Sequence, residues 1–136
     1  MSQYVAAFNN QFEELVEDIE RIFPNDNEIS SASRGLKNLR RITPKLIIKV
    51  FYEYVDKPYG AYIHDNNLQY FLEKDYTADL SKTMFSGEIL SKIEVIKSPI
   101  SNMNPEQQNT VLKYFQNLCK LSTLYNNSRL GLKIQT

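Results

Sequence analysis

A chain of 136 residues fits one domain and is long enough to bury a real core; its four glycines and five prolines exclude a collagenous, linker-like or low-complexity polypeptide. Sixteen basic and sixteen acidic side chains cancel, which argues against a dedicated nucleic-acid-binding domain, where a basic excess is the rule. The single cysteine, Cys119, excludes an intramolecular disulfide framework and fits a reducing compartment.

No basic stretch followed by an apolar run opens the sequence, and no apolar run approaches the roughly 18 residues of a membrane span. The expectation is a chain that is not secreted and does not span a membrane, resident in cytoplasm, nucleus or the interior of a particle. Nine tyrosines and seven phenylalanines stand beside no tryptophan. Tyrosine-rich surfaces serve in recognition, because the ring is rigid and amphipathic; the plainer reading is a half-buried rim around a helical core.

Residues 2–23 predict the first helix. Phe8, Phe12, Leu15, Val16, Ile19, Ile22 and Phe23 recur at three- and four-residue spacings and build one wide apolar stripe. Ser2 reads as its cap, and Pro24 with Asn25-Asp26-Asn27 as its stop. A second helix over residues 28–41 carries Ile29, Ala32, Leu36, Leu39 and, just beyond it, Ile42. Gly35 inside it costs about 1 kcal/mol relative to alanine; close approach of another helix is a reason to keep it.

Thr43-Pro44 reads as N-cap and first position of a third helix. The run Leu46, Ile47, Ile48, Val50, Phe51, Tyr54, Val55 is β-branched enough to leave a strand as the alternative, but its length and cap favour a buried central helix. Lys57-Pro58-Tyr59 breaks it or starts a new turn. Asp65 reads as the cap of a helix carrying Leu68, Phe71 and Leu72, which ends at Glu73-Lys74-Asp75-Tyr76. Residues 77–86 read as a polar connection with a turn at Ser86-Gly87. A helix over residues 88–97 follows, carrying Ile89, Leu90, Ile93 and Ile96, and Ser98-Pro99 ends it. Asn104-Pro105-Glu106-Gln107 is the strongest start signal in the chain. It opens a last helix that runs to about Tyr125, where Asn126-Asn127 closes it.

Beyond it Leu130, Leu132 and Ile134 alternate with Gly131, Lys133 and Gln135. Period two predicts an extended segment that either adds to a partner's sheet edge, lies along the surface or is disordered. The expected fold is all-α: a compact bundle of about five or six helices around the first, third and last, one domain over 1–128 with an extended tail over 129–136. Its expected core includes Phe12, Ile19, Leu46, Phe51, Leu72, Ile93, Phe115 and Leu118.

Parts for site chemistry are few. One histidine, His64, and one cysteine leave no ligand set for structural zinc. A Cys119–His64 nucleophilic pair is conceivable, but Cys119 lies on the apolar stripe of the last helix, where cysteine behaves as a small hydrophobe. Glu13, Glu14, Glu17, Asp18 and Glu20 read as a solvated acidic face rather than an acid–base dyad. Asp75 and Asp79 lack the glycine and terminal glutamate of a calcium loop. No glycine-rich phosphate loop and no nucleophile-elbow or zincin motif occurs. The expectation is a chain with no catalytic residues, no metal and no cofactor.

Charge pattern says more. Residues 13–28 hold seven acids against Arg21, and residues 34–49 hold Arg34, Lys37, Arg40, Arg41, Lys45 and Lys49 with no acid. Such blocks either pair across adjacent helices or present opposite faces to partners.

The stretches Phe51-Tyr52-Glu53-Tyr54-Val55, Lys57-Pro58-Tyr59 and Phe71-Leu72-Glu73-Lys74-Asp75-Tyr76, with Ile63 between them, resemble a pattern in a small, uncharacterised helical protein family of large nucleocytoplasmic DNA viruses, the giant viruses of algae and protists. The opening from Phe8 to Pro24 and the closing from Leu112 to Asn126 are similar to it too. The resemblance covers most of the chain except the tail and implies a viral context, in the virion or in host cytoplasm or nucleus. In that context, with so few parts for site chemistry, the expected function is a non-enzymatic interaction protein, a virion-associated or minor capsid component. Other viral proteins would be its partners, met through Tyr52, Tyr59 and Tyr62 and the tail positions Leu130, Leu132 and Ile134. The alternative is a nucleic-acid-associated accessory factor using Arg34, Lys37, Arg40, Arg41 and Lys45.

Overall fold

A computed structural model describes residues 3–76 and 84–130 of the chain. Every element among them is helical: α1 (Gln3–Ile22), α2 (Asn27–Ile42), α3 (Leu46–Phe51), a π-helical segment (Tyr52–Asp56), α4 (Lys57–His64), α5 (Gln69–Glu73), α6 (Met84–Ser101) and α7 (Pro105–Arg129). The all-α bundle read from the periodicities is the fold. Ser2, Asp79 and most of the connection proposed over 77–86 lie outside the described residues.

The core forms where the predicted stripes meet. Phe51 of α3 packs its ring against Phe8 of α1 at 5.1 Å and against Phe115 of α7 at 6.1 Å, and Phe115 continues to Phe71 of α5 at 5.0 Å. Aromatic pairs of this kind are worth about 0.5–1.5 kcal/mol beyond the area they bury. Six of the eight core residues named above are buried; Leu46 and Leu72 are half-buried and pack against the core from outside.

Of the helix starts read from the sequence, Asn104 caps its helix and Thr43 does not, while Asp26, read as part of a stop, is the cap of α2. Asp26 caps α2 by accepting from the Glu28 and Ile29 amides at 3.0 and 3.2 Å. Asn104 and Gln107 close a reciprocal capping box on α7, at 2.8 and 3.1 Å. Thr43 does not cap α3. It closes α2, its amide donating to the Leu39 carbonyl at 2.8 Å, and α3 begins at Leu46, whose amide donates to the Thr43 carbonyl at 3.1 Å.

Three expected stops are overrun. Pro58 sits inside a continuous helical rod: the preceding π turn, in which the Lys57 amide reaches back five residues to the Tyr52 carbonyl, absorbs it. Pro99 lies within the last turn of α6, so it deletes a backbone bond only near the helix end, and fully buried Ile100 holds the extra turn. Ser86 and Gly87 are helical rather than a turn, and Gly87 is buried. Asn126 and Asn127 do not close α7. The Leu130 amide donates to the Asn126 carbonyl at 3.1 Å, so Arg129 belongs to the helix and not to a tail starting at 129.

Candidate interaction surface

The α4–α5 corner is the most built-up exposed feature. Asn66 takes a left-handed φ of 63°, which asparagine tolerates better than most residues. That turn lets the Asn67 amide donate to the Tyr62 carbonyl at 2.8 Å and the Asn66 amide to the Ile63 carbonyl at 3.1 Å, a paired closure of the helix end. Asp65 therefore ends α4 instead of capping the next helix, whose N-cap position is Leu68; one residue earlier, Asn67 Oδ1 accepts from the Gln69 amide at 3.1 Å. From α7, Gln116 Nε2 donates to the Ile63 carbonyl and to Asn66 Oδ1, both at 2.9 Å, and ties the corner to the bundle.

On this fixed corner Tyr62 and Tyr70 stand side by side, ring centroids 4.4 Å apart, with 46% and 50% of their surface exposed. Two aromatic rings left in water and ordered against each other are anchors of the kind that protein interfaces use. Nearby, α5 and the α6–α7 junction enclose a groove of about 340 Å³ whose polar lining is carboxamide (Asn67, Gln69, Gln108, Asn109) around Leu72 and Leu112. Carboxamides offer donor and acceptor together, which suits a peptide backbone.

The tyrosines singled out by sequence do not form one patch. Tyr62 is on the ridge. Tyr59 is half-buried against the core. Tyr52 is half-buried at a separate groove with Lys49, Glu53, Tyr125 and Arg129. Leu130 is 62% exposed at the end of α7, and Leu132 and Ile134 lie outside the described residues. Tyr70, which completes the ridge, was missed, because its spacing from Tyr62 means nothing until the corner folds back.

The two charge blocks meet along α1 and α2. Arg40 pairs with Glu13 at 3.1 Å and Lys37 with Glu17 at 3.3 Å. Exposed Arg34, Arg41 and Lys45 have no carboxylate partner among the described residues, and Arg41 donates to Asn38.

Asn9 is buried in α1, its Nδ2 donating to the Pro44 carbonyl at 3.0 Å and its Oδ1 without a partner among the described residues, and two charged centres are buried elsewhere. Asp56, on the π segment, accepts from Ser122 Oγ at 2.8 Å and from Thr123 Oγ1. Burial first, then the charge of Asp56, push the Cys119 thiol far above its ordinary range. Cys119 is fully buried, so it makes no pair with His64, which is exposed at the end of α4. Lys97 of α6 is the second centre, 5% exposed, donating to the Lys74 carbonyl at 2.5 Å and to Glu94 at 2.7 Å. Its ammonium lies 4.2 Å from the Tyr76 ring centroid and 4.9 Å from that of Phe71. Burial lowers its pKa, opposed by Glu94. Each of these groups is engaged by the fold itself.

No protein-family model, curated protein or solved structure matches this chain.

Among the described residues no three His, Cys, Asp or Glu side chains group to hold a metal ion, and no helix is long and apolar enough to cross a membrane. Asp56 and Lys97 escaped the sequence reading because each sits in an otherwise unremarkable run. The available signal for Asp56 was on the other helix: Cys119, Ser122 and Thr123 place three small donors on one turn of an apolar stripe.

Proposed function

We propose that this chain is a non-enzymatic interaction protein of a large DNA virus, virion-associated or a minor capsid component, acting by protein–protein contact. The observation that carries the contact is the exposed Tyr62–Tyr70 ridge on a corner pinned by Gln116. The carboxamide-lined groove beside it adds partners for a peptide backbone. The viral context rests on the resemblance of the 51–76 region. The non-enzymatic reading is supported by the engagement of Asp56 and Lys97 in internal bonds and by the full burial of Cys119.

Quantitative mass spectrometry of purified particles of the encoding virus tests this reading. A fixed copy number per particle is expected. Absence from particles would overturn the virion assignment.

A further inference from the structure

We propose that a second surface, the Arg34, Lys37 and Arg41 stripe of α2 with Lys92 lying across the adjoining Gly35, binds the phosphate backbone of nucleic acid. It is built from different helices than the tyrosine ridge and does not depend on it.

Arg34, Lys37, Asn38 and Arg41 follow the i, i+3, i+4, i+7 rule and share one outward stripe of α2, the opposite face being spent on Ile29, Ala32, Leu36 and Leu39 in the core. The structure adds a base from elsewhere. At Gly35 of α2 a Cβ would stand 2.6 Å from Lys92 Cε and 3.3 Å from its Nζ, so the end of this α6 side chain lies across the glycine. A side chain at 35 would occupy that path. The α1 carboxylates Glu13 and Glu17 engage Arg40 and Lys37, which leaves Arg34, Arg41 and Lys92 without an α1 partner.

The arrangement selects among anions. The bases are strung along the helix, Arg34 to Arg41 spanning about 10 Å, rather than converging on a point, so a row of phosphates fits better than one. A membrane surface fits poorly, since a lipid-bound helix turns its apolar face to the acyl chains and that of α2 is buried. Nothing on the stripe reaches for base edges, so binding would be indifferent to sequence.

Fluorescence anisotropy with a labelled DNA duplex of about 20 base pairs tests this, starting at about 25 mM salt. Binding is expected, with log affinity falling against log salt at a slope of about −3 to −4, as four phosphate contacts require. Arg34→Glu with Arg41→Glu should lower affinity at least tenfold, and Lys92→Glu several-fold, each with an unchanged helical circular dichroism spectrum. Should charge reversal disturb folding, Arg34→Gln with Arg41→Gln gives the same reading with a smaller effect. Lys57→Glu, outside the face, and Tyr62→Ala with Tyr70→Ala should bind as wild type does. No binding at low salt to duplex or single strand, or full binding by the arginine variants, would overturn the proposal. So would equal affinity for polyglutamate or for phosphatidylserine vesicles, which would assign the face to an acidic protein or a lipid surface.

Discussion

The Tyr76 hydroxyl donates to the backbone carbonyl of Tyr54, the acceptor that Pro58 leaves without its i→i+4 amide. The segment after α5 thus repairs a defect in the middle of the rod formed by α3, the π segment and α4. Lys97 holds the same segment from below through the Lys74 carbonyl. Tyr76→Phe should therefore cost about 1–2 kcal/mol, the penalty of an orphaned buried carbonyl. The loss should shrink in a Pro58→Ala background, where residue 58 can supply the amide. Urea unfolding of the four chains in this double-mutant cycle measures the coupling.

Two glycines should answer alanine in opposite directions. At Gly60 the new Cβ would collide with the Asp56 carboxylate, which Ser122 and Thr123 hold in place. Gly60→Ala should destabilise by about 1–3 kcal/mol, as overpacking does. At Gly35 the obstacle is the far end of Lys92, which can swing away. Gly35→Ala should stabilise by about 0.5–1 kcal/mol, the helix-propensity gain. Thermal unfolding of both variants decides the signs.

Alkaline stability should report on Cys119. Its folded-state pKa is raised, so the folded thiol keeps its proton where the unfolded thiol, with an ordinary value of 9.0, has lost it. The stabilising contribution is therefore complete below 9.0 and declines as pH rises above it, by up to about 1.4 kcal/mol per pH unit. Lys97, lowered from 10.5, works in the opposite sense: stability rises as pH climbs from its folded value toward 10.5. Between about pH 8 and pH 10, the wild type should lose about 1 kcal/mol relative to Cys119→Ala in urea titrations. Parallel curves for the two proteins would contradict this.

The corner at Asn66 should tolerate Asn66→Gly and resist Asn66→Ala. A left-handed residue with a Cβ costs about 1–2 kcal/mol, which glycine escapes, while both variants lose the Oδ1 acceptor for Gln116 and keep its bond to the Ile63 carbonyl. Gln116→Ala should leave both tyrosines in the chain yet weaken partner binding, since it frees the corner that aims them. Binding and unfolding measured on the same preparations separate the two effects.

The helices and their inward faces were legible because burial imposes a period, and the stripes through Phe8, Phe12, Phe51 and Phe115 meet as that period requires. Helix ends were less legible. Pro58 and Pro99 are strong local breakers, but a π turn and a buried Ile100 outweigh them; both stand next to the proline, yet the hydrogen-bond register of one and the burial of the other are set by the fold. The basic face was half legible: α2 supplies its stripe, while Lys92 arrives through the Gly35 contact and Arg40 is withdrawn by Glu13. Tyr70 was invisible for the same reason, as only folding brings it to Tyr62.

The Tyr62–Tyr70 ridge is proposed above as the surface through which this chain meets a partner in the particle. Its most direct test is incorporation: the copy number of wild type and of Tyr62→Ala with Tyr70→Ala in purified particles, with thermal unfolding as the check that both chains are folded. The account predicts a fixed wild-type copy number and a loss of at least most of it in the folded double variant. Equal incorporation of the two chains would contradict it.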